Sequence, residues 1–224
     1  MEDPIAGFIG AMMFALATLM PIVNPAAIAP IFLSMTPGVS DATRTAIAGR
    51  IARNSCVLLL AAMVIGSYVL MFFGLTLATI RIAGGLLVIA TAWRLIQAEH
   101  GADLRIVTAP TPASFDPSSS TFYPLTFPVT IGPGSISVAV TLGAGTRLDG
   151  GTALAEVLGA AVGIVAVCAT VYFCYRFASR LLRFLGETGT VVLLRLSAFI
   201  LLAVGVQILS DGLVERFANL TPAY

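Results

Sequence analysis

Apolar residues run along this chain in long blocks. They show neither the alternation of a half-buried strand nor the single stripe of a surface helix. A window of about 19 residues divides them into segments at 6–35, 46–73, 74–98, 121–145, 152–178 and 187–213. Each is long enough to cross roughly 30 Å of hydrocarbon as a helix. The pattern therefore predicts an all-α polytopic membrane protein with six transmembrane helices. The first segment exceeds one crossing, so an interruption is expected within it. Segments two and three meet at Phe73-Gly74 almost without a loop, which predicts a tight helical hairpin.

Residues 99–121 are rich in Pro, Ser, Asp and Thr and read as a linker. They divide the chain into a first three-helix unit, 1–98, and a second, 122–224. Ala15-Leu16-Ala17 mimics a signal-peptide cleavage site, but Glu2 and Asp3 stand where basic residues would be needed. The apolar run also continues to Leu33, past the end of an ordinary signal core. It is expected to stay as the first span.

Composition reinforces the pattern. Hydrophobic residues make up 58% of 224, and the 21 glycines bring the apolar share to about 67%, against about 45–50% in soluble domains. Only 10% are charged, too few to cover a water-soluble surface. The net charge of +1 excludes the broad basic field that nucleic acid requires. All 12 basic residues are arginine, and their distribution sets an orientation. Arg44, Arg50, Arg53, Arg94, Arg105, Arg176, Arg180 and Arg183 fall on one side; Arg147 and Arg216 fall on the other. Both termini are expected to be extracytoplasmic and the linker cytoplasmic.

The two halves share a motif. Pro21, Pro25 and Pro30 recur as Pro124, Pro128 and Pro133 at a constant offset of 103 residues. Arg81 in the third segment recurs as Arg195 in the sixth at an offset of 114, with Gly74 and Gly186 upstream of them. An odd number of spans per half places the copies in opposite orientations, the inverted repeat of many secondary transporters. Proline deletes a backbone donor and crowds the preceding turn, so helices 1 and 4 are expected to break at these motifs. Broken backbone at membrane depth is tolerated inside protein or beside a wet cavity. The half-helix starting at Pro25, and the one entered through Gly132-Pro133-Gly134-Ser135, would aim amides and about half a positive charge at the midplane. That arrangement suits a carboxylate.

The candidate substrate-binding residues are accordingly Asn24, Pro25, Ala27, Thr130, Gly132, Gly134 and Ser135. Asn24 can donate and accept, which suits a zwitterion or a cation. Thr126 and Ser137 are further hydroxyls along the second break. Pro30, Pro128, Pro133, Arg81 and Arg195 are candidates for structural or gating roles. An arginine at the bilayer centre costs about 2.5–3.5 kcal/mol on the insertion scale; Arg81 can reach an interface, whereas Arg195 lies deeper. Asn54 and Gln207 are weaker candidates. Glu156, Glu187 and Asp211 all lie near span ends, and the single histidine, His100, falls in the linker. A proton relay and an intramembrane hydrolase therefore lack their usual side chains. Cys56, Cys168 and Cys174 sit inside apolar runs and read as packing residues without metal spacing.

With NPAAIAPIFLSMT, FYPLTFPVTIGPGSIS and RIAGGLL in place, the whole chain resembles the MarC family of bacterial inner-membrane proteins. The family's first motif usually reads Asn-Pro-x-Gly-x-x-Pro, and Ala27 occupies the glycine position here. The resemblance implies membership of the LysE-like transporter superfamily, which includes transporters of small neutral amino acids, chiefly glycine and alanine. The expectation is a multi-pass secondary transporter of such substrates, without a cofactor or metal, whose partners are a small molecule and the lipid bilayer. Export of amino acids or toxic metabolites, and a non-transporting membrane scaffold, are the alternatives. Carbonyls freed by the prolines favour sodium over protons as the coupling ion. Oligomeric state and transport direction stay open.

Overall fold

A computed structural model describes residues 3–97, 121–145 and 153–218, which are helical apart from short turns. Of the expected linker, only Thr121 falls among them. Helix α1 (Pro4–Val23) begins at Asp3, whose carboxylate accepts the Ile5 amide at 3.0 Å, an ordinary N-cap followed by proline in the first turn. Asn24 ends it. Its backbone is left-handed (φ 41°, ψ 58°), a conformation asparagine tolerates better than most residues. The Asn24 amide closes α1 on the Met20 carbonyl at 2.9 Å, and its carbonyl receives the Ala27 and Ile28 amides at 3.1 Å, opening α2 (Pro25–Met35). Both helices run on as one 32-residue spanning unit, Pro4–Met35.

Helix α3 (Asp41–Phe72) starts ahead of its apolar block because Ser40 caps it, accepting the Thr43 amide at 3.2 Å. The hairpin expected at Phe73-Gly74 is present. Gly74 has φ 66°, and the Leu75 amide reaches back to the Leu70 carbonyl at 2.9 Å, a glycine-terminated helix end whose positive φ strains any side chain. Thr76 then caps α4 (Leu77–Gln97), accepting from the Thr79 amide at 3.3 Å.

The second half opens with α5 (Thr121–Thr130), wound in wide turns. Tyr123 and Phe127, each preceding a proline, are extended at φ −116° and −122°, as the proline ring demands of its neighbour. The Tyr123–Pro124 and Phe127–Pro128 peptide bonds are cis. The chain bends by 72° between α5 and α6 (Pro133–Gly145). Helices α7 (Ala153–Arg176) and α8 (Ala178–Ala218) complete the bundle, with α8 divided by Gly186 at φ 66°. Its spanning part is Thr188–Ala218. Among the described residues, five helices are thus long and apolar enough to cross a membrane, and the bent α5–α6 pair makes up to a sixth.

The principal seams join α4 to α8, α1 to α7 and α3 to α6. Lipid tails are as apolar as leucine, so these seams depend on close backbone approach rather than on burial from water. Gly85 faces the Gly205 carbonyl and Leu209 backbone, and Gly159 and Gly163 face the Phe8 and Met12 carbonyls. Large apolar side chains point outward, Phe72 and Phe184 being 84% and 89% exposed. At the α3–α7 seam the Cys168 thiol lies beside that of Cys56. A copper–phenanthroline oxidation should therefore join these two within one chain and leave Cys174 to be alkylated. Intact mass and peptide mapping that found Cys174 cross-linked instead would contradict this seam.

Candidate functional site

The two interruptions face one another. A cavity of about 270 Å³ lies between Asn24 at the end of α1 and the turn into α6, and Pro128, Thr130, Gly132, Pro133, Gly134 and Ser135 form its opposite wall. Its remaining wall is a face of α4 that sequence reading had not singled out: Leu87, Val88, Thr91, Arg94 and Leu95. These recur at helical three- and four-residue spacing. Arginine counting alone makes Arg94 a cytoplasmic flanking charge. Only its place in the third apolar segment, above Leu87 and Thr91 on one face, could have signalled another role.

The polar groups differ in how far they are committed. The Thr130 hydroxyl donates to the Leu125 carbonyl at 2.7 Å and lies 2.9 Å from the Tyr175 hydroxyl. Its single proton is used, so Tyr175 is the donor in that second bond. Tyr175 is itself buried and stacked on Phe32, centroids 4.6 Å apart. Thr130 is therefore held rigidly, with little hydrogen-bonding capacity left. Ser135 is different. It is 1% exposed, lines the cavity, and its hydroxyl has no partner among the described residues. The first bond inside α6 runs from the Ile136 amide to the Gly132 carbonyl at 3.2 Å, so the Gly134 and Ser135 amides precede the helical ladder. Asn24 has no side-chain capping bond to α2, leaving its amide available to the cavity.

Not every expected site residue is here. Pro25 and Ala27 are buried in α2 and do not line the cavity, and Pro30 lies within that helix. The Ala27 methyl is buried, at 1% exposure. Of the two arginines, Arg81 pairs with Glu215 across the α4–α8 seam at 2.6 Å. Arg195 is exposed on α8, with no partner among the described residues. The first break also departs from the symmetric pair of half-helices anticipated. At Asn24 the chain continues in line, whereas beyond Thr130 it turns sharply. One left-handed residue is enough to interrupt α1, while two prolines with extended predecessors remove successive helical bonds from α5.

Beyond this cavity lie two others, of about 450 and 410 Å³, which share Phe14, Arg81, Thr141 and Leu142. Helices α1, α4 and α6 line all three. Along α1 the lining passes from Gly7 and Phe14 through Thr18 to Ile22 and Asn24; along α6 it passes from Gly145 through Val138 to Ser135. The separation is about one helical turn, marked on α8 by Leu201 on one side and Val204 on the other. Across it the Ser137 hydroxyl donates to the Ile80 carbonyl at 2.9 Å.

These features define an integral multi-span membrane protein whose interrupted helices enclose a small polar-lined cavity. The chain belongs to the MarC family of integral membrane proteins, whose family model matches residues 9–217. It is 29% identical to the UPF0056 membrane protein YvbG of Bacillus subtilis, over 91% of this chain and 94% of that one. It is likewise 29% identical to the UPF0056 membrane protein YhcE of Escherichia coli, over 90% and 91%. With the UPF0056 inner membrane protein MarC of Salmonella typhimurium it shares 28% identity over 89% and 92%. No solved structure matches the chain significantly.

Proposed function

We propose that this protein is a secondary transporter of small neutral amino acids, glycine- or alanine-like, in the bacterial inner membrane, and a carrier rather than an enzyme. The observation that carries the reading is the line of cavities along α1, α4 and α6, divided by about one helical turn. A packing scaffold has no use for it; alternating access requires a site reached from one side and a thin barrier to the other. The cavity at the breaks, about 270 Å³, falls below the range of drug-sized pockets and suits a ligand of a few heavy atoms. The amino-acid class comes from the family resemblance.

An inverted repeat, with the 1–98 and 122–224 units related by an axis in the membrane plane, is part of this proposal. Three pairings support it. Repeat-related α3 and α7 run antiparallel, with Gly49 against Tyr172 and Cys56 beside Cys168. So do α4 and α8, with Gly212 near Arg81 and Gly205 near Ile89. The first span packs on α7 as α5 and α6 pack on α3. With six crossings and the arginine bias, both termini would be extracytoplasmic, placing Arg94 toward the cytoplasm.

Purified protein in liposomes should take up labelled glycine or alanine above empty-vesicle background. Cysteines introduced at Thr18 and Val138, and at Asn24 and Ser135, should be reached by aqueous maleimides from opposite sides. Folded protein that moves no small amino acid, with all four positions protected, would refute the transport reading. No carboxylate or histidine lines the cavity at the breaks, although Glu156 and Asp211 line the other two; carbonyls near Pro128, with Asn24, favour sodium as the coupling ion. Uptake concentrated by a pH gradient in sodium-free buffer would overturn that choice.

A further inference from the structure

Arg94 is the one ionisable side chain among the residues lining the cavity, and it has no ion-pair partner among the described residues. A guanidinium is always charged at physiological pH, and its planar fork matches a carboxylate. The same cavity holds the unpartnered Ser135 hydroxyl and the amides at the start of α6, a 13-residue helix. Ser135 is buried, and a buried donor without a partner is costly until something accepts from it; Arg94 is exposed, and its charge remains free for a ligand. All three features call for the same ligand atom type, an anionic oxygen. No acidic side chain among the lining residues meets a positive group; an ammonium would find only neutral acceptors such as the Asn24 carbonyl oxygen.

Resting on the transport reading for its setting, we infer that this site selects its ligand by the carboxylate, held by Arg94, Ser135 and the α6 amides, and not by the amino group. Short 2-hydroxy carboxylates then occupy it alongside the amino acids, whereas small amines without a carboxylate do not. Arg94 is a specificity-determining residue. Thr91, one turn earlier on the same wall, donates to the Leu87 carbonyl at 2.8 Å and has only acceptor capacity to offer the ligand.

The test is binding, measured on the full chain in zwitterionic nanodiscs by calorimetry and thermal unfolding, with glycine, glycolate and glycinamide as probes. Glycine and glycolate should bind within about tenfold of each other, and glycinamide should not bind detectably, because it lacks the charged partner. Arg94→Gln should weaken both carboxylates by roughly ten- to a hundredfold, the value of a charged hydrogen bond. Arg94→Lys should recover part of that loss, since it keeps the charge but not the fork. Binding of glycinamide as tight as glycine, indifference to glycolate, unchanged affinity in Arg94→Gln, or no binding of any probe would each overturn the inference. Uptake of glycine by a protein that ignores glycolate would sink it and leave the transport reading standing. Carboxylate binding without uptake would do the reverse.

Discussion

Glycine uptake should fall by at least about tenfold in Gly132→Leu, with the fold intact, because substrate positioning is sensitive to displacements of an ångström. Gly132 lines the cavity between Pro128 and Pro133. An added Cβ there would meet only the Pro128 carbonyl, at an ordinary 3.6 Å, and the backbone is not in a left-handed conformation. The cost in stability should therefore stay near the ±0.5 kcal/mol typical of tolerated substitutions. The rest of the side chain has to occupy cavity volume, and about 270 Å³ leaves little for a ligand once four carbons enter. Gly134 provides the contrast. A Cβ there would collide with the Val88 side chain across the α4–α6 seam, so Gly134→Leu should lose stability as well as uptake. Uptake by Gly132→Leu at the unmutated rate, in protein with the same melting temperature, would remove the cavity from the transport route.

The spans were legible because hydrophobic length is a one-dimensional property, and lipid imposes it on each helix separately. The breaks were legible for a related reason: proline deletes a donor wherever it stands. What proline does not encode is the direction the chain takes afterwards. Pro25 follows a left-handed Asn24 and the helix runs on; Pro128 follows an extended Phe127 and the chain turns. Pro25 and Ala27 share the first motif with Asn24, yet their helical phase buries them away from the cavity. Charge proved hardest to place. Arg94 and Arg81 are both arginines near the ends of α4, and counting alone assigns each to an interface. Their difference arises in three dimensions: Glu215 is carried to Arg81 by the end of α8, while Arg94 has the cavity.

Gly143→Ala should destabilise the protein more than any conservative change at the cavity. A Cβ at Gly143 would overlap the Met63 carbonyl oxygen and lie 2.8 Å from its carbon and 3.3 Å from its Cα. These are backbone atoms in the middle of α3, without a rotamer to change. Relief requires α3 and α6 to move apart, opening the seam that also holds Gly66 against Val140. Overpacking of this kind costs about 1–3 kcal/mol, and the lost interhelical contacts have no burial from water to offset them in lipid. Gly145→Ala, two residues on in the same helix, meets nothing within 4 Å. Higher helix propensity and a less free unfolded chain should make it neutral or stabilising by about 0.4–1 kcal/mol. The pair differs by position alone, so thermal unfolding in one detergent compares them directly. Equal melting temperatures for the two variants would mean that α3 and α6 do not approach this closely, and that the wall carrying Ser135 is held by some other contact.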